Sequence, residues 1–407
     1  MSLRVRSASV LIGAAALLTV LARHTAGAQR ALTRAEAVEA ALSRGPTLAM
    51  ARADTAVASA RVAEARAFPD PSLMASYSKD APQYHVLTEW PLDLGRVRSS
   101  RISAAQSRRD AARLRFQYDR ASVAYDADTA YTQALAAAAR SRLSQRNAAD
   151  ADSLRRIAEI RRDAGDASDL DVQLAIVFAG QQANLAVSDS LALMAALLDL
   201  QAVTGIPTDA VTIALADSLA PPVRVSLAMQ GTPLRISAAE AGLTAADYET
   251  RLQRRLIWSL PMLEAGIETR DPSGDARGIL PTFGFSIPLP LWNRNRGAIL
   301  AADAERDRAR AELAFARLLG ASLVTRASRE YDAAFDRLQR DQRLMESANR
   351  VVSMSLRAYQ EGASPLTSVL EAQRVAREVL VQYIDDEAAA WNAAAALRLH
   401  TLTSGTT

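Results

Sequence analysis

The sequence has no cysteine, a single lysine (Lys79) and only three histidines, His24, His85 and His400, far apart along the chain. Without cysteine there are no disulfides, no thiolate metal sites, no thiol nucleophile and no lipid-modified N-terminal cysteine. The scattered histidines give no metal cluster and no catalytic triad, and no glycine-rich phosphate loop is present. No catalytic, cofactor-binding or metal-ligating residue is assigned, and the chain is not read as an enzyme. Long apolar runs are scarce as well. Arg4 and Arg6 precede one from Ala8 to Ala22, followed by Ala26-Gly27-Ala28, which fits a small-x-small cleavage site. Residues 1–28 read as a secretory signal and the mature chain as starting near Gln29. No other stretch is read as approaching the roughly 20 apolar residues of a spanning helix.

The basic balance lies in that leader. Removing it takes away Arg4, Arg6 and Arg23 and no acid, so the net charge falls from +3 to 3 − 3 = 0. The pI near 9.4 is therefore no argument for nucleic acid. Charges of both signs alternate along the rest, the pattern of solvated helix faces.

Proline is absent between Pro91 and Pro207, between Pro290 and Pro365, and after Pro365; glycine is absent between Gly95 and Gly165. An internal proline costs a helix about 3 kcal/mol, so these gaps are where long helices fit. One helix over 97–160 would rise by roughly 95 Å at 1.5 Å per residue, a length that belongs to a coiled coil or a helical barrel. A soluble coiled coil fits the same periodicity.

The pieces between the helices alternate instead. In "LPMLEAGIETR" (260–270), Leu263, Ala265 and Ile267 share one face and Glu264, Glu268 and Arg270 the other. "PTFGFSI" (281–287) sets Phe283, Phe285 and Ile287 against Thr282, Gly284 and Ser286, and the polar "DPSGDARG" joins the two strands. Upstream, "PSLMASYS" and "QYHVLTEW" flank "KDAPQ". Strands with one apolar and one charged face suit a transmembrane β-barrel. Trp90, Trp258 and Trp292 fall at strand ends, where an indole suits the membrane–water boundary.

Landmarks also repeat. Pro91 and Pro288 lie 197 positions apart, and so do Gly165 and Gly362. The chain divides into a first copy at 29–222 and a second at 223–407, each reading as a helix of about 30 residues, two strands, a long helix, a tight turn and a returning helix. The first opens with a capping box, Thr33-Arg34-Ala35-Glu36. The copies meet around "DSLAPPVRV", Asp217 to Val225.

This layout resembles the TolC-like family of outer-membrane efflux proteins over essentially the whole mature chain. "LTRAEAVEAALSRGPTLAMARA" is similar to the family's N-terminal helix, with Gly45-Pro46 where Asn-Pro is more usual, and "QGTPLRISAAEAGLTAAD" to its second copy. "FGFSIPLPLWNRNRGAI" is the most specific segment and looks most like the cation-efflux (CzcC-like) branch. The resemblance implies a mainly α fold with a transmembrane β part: a homotrimer whose chains share a 12-stranded β-barrel and a periplasmic α-helical barrel. It implies an outer-membrane location reaching into the periplasm, and a passive exit duct with no cofactor. A periplasmic adaptor and an inner-membrane pump of the resistance–nodulation–division class would deliver the cargo, heavy-metal cations on the CzcC-like reading. Adaptor-facing tips would be Gly165, Asp166, Ala167 and Ser168, and Gly362, Ala363, Ser364 and Pro365. The pore constriction would fall at Ser368 and Glu371, only the second of which is acidic. Drug efflux, type I secretion and a periplasmic helical-hairpin adaptor are the alternatives.

Overall fold

The computed structural model describes residues 31–80, 82–93, 95–206, 213–224, 231–257, 261–269 and 278–403. The signal read at 1–28, Trp258 and Arg270 lie outside these residues. The elements run α1 (Arg34–Arg44), α2 (Pro46–Arg66), β1 (Ser72–Tyr77), β2 (Tyr84–Pro91), α3 (Gly95–Asp163), α4 (Asp169–Thr204), α5 (Leu234–Arg255), β3 (Met262–Thr269), β4 (Leu280–Ser286), α6 (Arg296–Gln360) and α7 (Leu366–Thr401). The proline-free stretches hold the 69 residues of α3 and the 65 of α6.

Two expectations are corrected. The N-terminal helix is not continuous: Gly45 takes extended torsions (φ −59°, ψ 130°) and Pro46 starts α2, where a missing N–H leaves no bond unmade. The break has a packing partner, because a Cβ at Gly205 would lie 2.8 Å from the Arg44 carbonyl oxygen. Second, α4 is long and apolar enough, by length and composition alone, to cross a membrane.

Chain packing divides into two compact units, and each takes residues from both sides of the boundary expected at 222/223. The first contains residues 1–44, 126–222 and 336–392, and the second 45–125, 223–335 and 393–407. In the first, Ala37, Tyr131, Ala134, Leu135 and Leu200 form one core cluster, joining α1, α3 and α4. The Thr33–Glu36 capping box is present: Thr33 N–H donates to Glu36 Oε2 (3.0 Å) and Glu36 N–H to Thr33 Oγ1 (3.3 Å).

The second unit carries one antiparallel sheet in the order β1-β2-β3-β4. Its middle pair, β2 with β3, joins strands far apart in sequence, with Trp90 opposite Leu263 and Glu89 opposite Glu264. The outer edges of β1 and β4 pair with nothing among the described residues. Where β2 ends, Leu92 N–H donates to the Pro261 carbonyl (2.7 Å). The Asp93 side chain, 1% exposed, pairs there with Arg101 (2.6 Å) and Arg98 (3.6 Å). Before α6 the corresponding segment uses amides instead. Asn295 sits at φ 56°, and its Nδ2 donates to the Gln253 carbonyl (2.8 Å). Asparagine tolerates such left-handed torsions.

Candidate functional site

The two hairpin turns are built alike. Gly165 (φ 83°) and Gly362 (φ 73°) both lie in the left-handed region. At the first turn Gly165 N–H donates to the Arg162 carbonyl (2.9 Å) and Asp166 N–H to that of Arg161 (2.7 Å). At the second, Gly362 N–H donates to Tyr359 (3.1 Å) and Ala363 N–H to Ala358 (2.8 Å). These are the paired bonds of a Schellman motif, which satisfies the last carbonyls of a helix and favours glycine at the reversal. The restarts differ. Ser168 caps α4 in a capping box with Asp171, whereas Pro365 directly precedes α7 and accepts from Ser368 N–H (3.1 Å).

The turns are also held together. Arg161 Nη1 donates to the Tyr359 carbonyl at 2.5 Å, and its guanidinium lies 4.6 Å from the centre of the Tyr359 ring. Burial pushes the Tyr359 phenol above its ordinary pKa. Beside this contact Leu154, Ala158, Val172, Ala175, Leu366 and Val369 close a core with Tyr359, so all four long helices meet just above the tips. The sequence reading missed Arg161 and Tyr359. No signal in the sequence separates Arg161 from its neighbour Arg162.

Ser368 and Glu371 both lie exposed on the first turns of α7. Glu371 is not a free carboxylate. Arg374 holds it in a two-pronged pair (Nη2 at 2.6 Å, Nε at 2.9 Å) and reaches Glu378 with its other arm (2.5 Å). This bond holds the Glu371 carboxyl below the usual range and raises Arg374. The three groups sum to −1 + 1 − 1 = −1.

The strand faces separate as alternation predicts. Leu73, Val86, Trp90, Leu263, Ile267, Phe283 and Phe285 share one side, all exposed. The other side carries Ser72, His85, Glu89, Glu264 and Glu268, with His85 Nδ1 at 3.2 Å from Glu268. A Cβ at Gly266 would lie 2.3 Å from the Val86 carbonyl oxygen, so no side chain fits there. Trp90 closes β2 on the apolar side, and Trp292, 92% exposed, stands four residues before α6. Among the described residues no group of histidine, aspartate and glutamate could hold a metal ion.

Comparison with known proteins adds the family. The model of the outer membrane efflux protein family matches residues 37–205 and 228–401. The pyoverdine export outer membrane protein OpmQ of Pseudomonas aeruginosa is 30% identical over 275 residues, covering 63% of this chain and 57% of that protein. Its Pseudomonas putida counterpart is 28% identical over 294 residues, covering 69% and 61%. The match thus spans about three fifths of the length of these relatives. Among solved structures, VceC of Vibrio cholerae aligns with a TM-score of 0.74 at 18% identity over 90% of this chain and 95% of its own. CmeC of Campylobacter jejuni gives 0.78 at 16% identity over 90% and 85%. CusC gives 0.75 at 17% identity over 90% and 91%. The fold is that of the TolC-like outer-membrane channels.

Proposed function

The chain belongs to the outer membrane efflux protein family, and from that premise we propose that it is the outer-membrane exit duct of a tripartite efflux system. Three copies share one barrel, and each runs as two sequence copies, 29–222 and 223–407. The observation that carries the reading is the four-stranded sheet with one exposed apolar face and two bare edges. Backbone left unpaired in lipid costs several kcal/mol per group, so strands in a bilayer must close into a barrel. Four strands are too few for that, and three copies bring twelve. Eight residues at about 3.3 Å per residue reach roughly 26 Å, close to the apolar band of an outer-membrane barrel.

On this reading Leu73, Phe283 and Phe285 face lipid, Trp90 and Trp292 mark the boundary, and the carboxylates line the lumen. The turns at Gly165–Ser168 and Gly362–Pro365 meet a periplasmic adaptor, which links the duct to an inner-membrane pump of the resistance–nodulation–division class. Ser368 and Glu371 form the constriction. Cargo is selected upstream, so metal-cation export requires no ligand set in this chain. The test is the mass of the detergent-extracted protein by light scattering, with detergent subtracted. A mass near three mature chains, with conductance in planar bilayers, supports the duct. A soluble monomer returns the chain to the helical-hairpin adaptor reading.

A further inference from the structure

The alternation of β4 outlasts its hydrogen bonds. The ladder ends at Ser286, opposite Met262. Large apolar residues nevertheless continue at every second position, Phe283, Phe285, Ile287, Leu289 and Leu291, and Trp292 closes the series. Every residue from Phe285 to Leu289 and from Leu291 to Arg294 is exposed. Ile287, Leu289, Leu291 and Trp292 stand between 49% and 92% exposed, so most of the apolar surface of this arm before α6 is left uncovered by the chain.

The backbone of the arm is not built to pair with a strand. Pro288 and Pro290 have no N–H. Leu291 N–H donates to the Leu289 carbonyl (2.8 Å), a three-residue turn that bends the arm at Pro290. Three of the four positions from 288 to 291 therefore offer no donor to a neighbour. Strand pairing with a second copy would need those donors, whereas backbone resting against lipid is better without them.

The charge beside the arm has one sign. From Gly278 to Ala302 the chain carries Arg294 and Arg296 and no acid. Both are exposed, and neither joins an ion pair among the described residues. Between them Asn295 is fixed: its N–H donates to Asn293 Oδ1 (3.1 Å) and its side chain to the Gln253 carbonyl (2.8 Å). The two guanidiniums thus flank a held residue directly after the tryptophan.

The register sets the level. Ser72, Pro91, Met262 and Ser286 stand at one end of the sheet, the end from which β2 and β4 lead to α3 and α6. Exposed Phe68 and Trp90 lie at this same end. Strands of roughly 26 Å already fill the apolar band of a barrel, so the arm falls in the head-group layer beyond it. Six residues running straight would reach about 20 Å and carry Trp292 past a layer about 5–8 Å deep. The bend at Pro290 keeps it there.

We propose that the Ile287–Arg296 arm lies in the inner-leaflet surface of the outer membrane and seats the head group of an anionic phospholipid. Leu289, Leu291 and Trp292 rest among the upper acyl carbons, and Arg294 and Arg296 meet the phosphate. The inference rests on the outer-membrane reading above, which puts the helix side of the sheet in the periplasm. An indole suits this layer because its ring is apolar and its N–H needs a partner. Each arginine near an anionic surface adds to the attraction.

The absence of cysteine permits a site-specific test. Leu289→Cys, Phe283→Cys and Glu361→Cys are made separately in the full-length protein, labelled with an environment-sensitive fluorophore and reconstituted in vesicles of phosphatidylethanolamine and phosphatidylglycerol. Lipids carrying a nitroxide on the head group or deep on the acyl chain report depth. Leu289→Cys is expected to be quenched about threefold more by the head-group nitroxide than by the deep one. Phe283→Cys, in the middle of β4, should show the reverse order, and Glu361→Cys, beside the second turn, should respond to neither. Quenching of Leu289→Cys by acyl-labelled phosphatidylglycerol should exceed that by acyl-labelled phosphatidylethanolamine about fivefold, falling to about parity once Arg294→Gln and Arg296→Gln are added. A quenched Phe283→Cys with a silent Leu289→Cys would mean that protein covers the arm, which sinks the proposal and leaves the duct standing. Equal quenching by the two lipids with both arginines in place overturns the head-group site. Silence at both positions sinks the outer-membrane reading itself.

Discussion

The guanidinium of Arg34, at the start of the first described helix, lies 3.9 Å from the ring centre of Trp391, near the end of the last. The same side chain pairs with Asp128 and donates to Thr132 Oγ1 (2.9 Å). The Arg34 backbone N–H meets Asp217 (2.9 Å), which also accepts from the Tyr131 hydroxyl (2.9 Å). Trp391 Nε1 in turn donates to the Ala220 carbonyl (2.8 Å). One arginine thus ties α1, α3 and α7 together, and its neighbours strap the segment of Asp217 and Ala220 to them.

Arg34→Lys keeps the charge and loses the planar fork and the stacking. Such contacts contribute about 1–2 kcal/mol when partly buried. The variant is expected to lower the midpoint of thermal unfolding by circular dichroism in detergent, with the trimer still formed at low temperature. An unchanged midpoint would remove Arg34 from the tie.

Tyr131 is raised to a pKa of about 12, chiefly by burial, and its single hydroxyl proton is shared between the Leu32 carbonyl (2.7 Å) and Asp217 (2.9 Å). Tyr131→Phe removes this shared bond while Ala216 N–H still reaches the Leu32 carbonyl (2.9 Å) and Arg34 N–H still reaches Asp217 (2.9 Å), so the loss should be about 0.5–1.5 kcal/mol. Hydrogen exchange should quicken in residues 31–36 and 213–220 before elsewhere; uniform exchange would contradict the strap.

At the tips, Gly362→Ala should cost about 1 kcal/mol for its left-handed torsion, and its new Cβ meets only Arg161 Nη2, at 3.7 Å. Gly362→Pro should do more. It removes the donor to Tyr359 and cannot reach φ 73°. The expected result is a trimer of normal mass with impaired export for Pro and near-normal export for Ala. Full export by the proline variant would count against the turn as the docking point.

Neutralising either member of the Glu371–Arg374 pair should move selectivity in opposite directions. Glu371→Gln takes the local sum from −1 to 0, and Arg374→Gln takes it to −2. Reversal potentials in a salt gradient should show weaker cation preference for the first and stronger for the second. Shifts of the same sign, or none, would take this cluster out of the pore.

Glu387 is buried on α7, and that burial raises its pKa although Tyr383 opposes the shift through a hydrogen bond. A carboxyl raised in the folded state adds stability that is complete below its unfolded pKa and lost as pH rises through its folded value. The native protein therefore loses stability from the ordinary carboxylate range toward neutrality. Glu387→Gln should melt higher than wild type at about pH 7.5, with the gap closing by about pH 4.5. A gap independent of pH would assign the effect to packing instead.

The parts legible in sequence were those where one residue type constrains the backbone directly. Missing prolines located α3 and α6 within a few residues, and the glycines at 165 and 362 located both turns. Alternation placed Leu263 and Glu264 on opposite sheet faces. Other features depend on what lies across the fold. Arg161 and Arg162 are indistinguishable as letters, yet one reaches Tyr359 and the other pairs with neighbouring Asp163 (2.7 Å). The spanning length of apolar α4 escaped because Gln181, Gln182 and Asn184 interrupt its run of apolar letters, although the helix as a whole is apolar enough to cross a membrane. The break at Gly45 escaped because helix periodicity resumes immediately at Pro46.

On the proposed trimeric reading, the two edges left unpaired among the described strands set a kinetic order for biogenesis. Strands that close only with those of two other copies insert as a termolecular product, so at low expression the yield of finished barrel should climb faster than the amount of chain secreted. Halving synthesis would then remove more than half the export capacity, and a chain with a faulty edge would spoil the partners it joins.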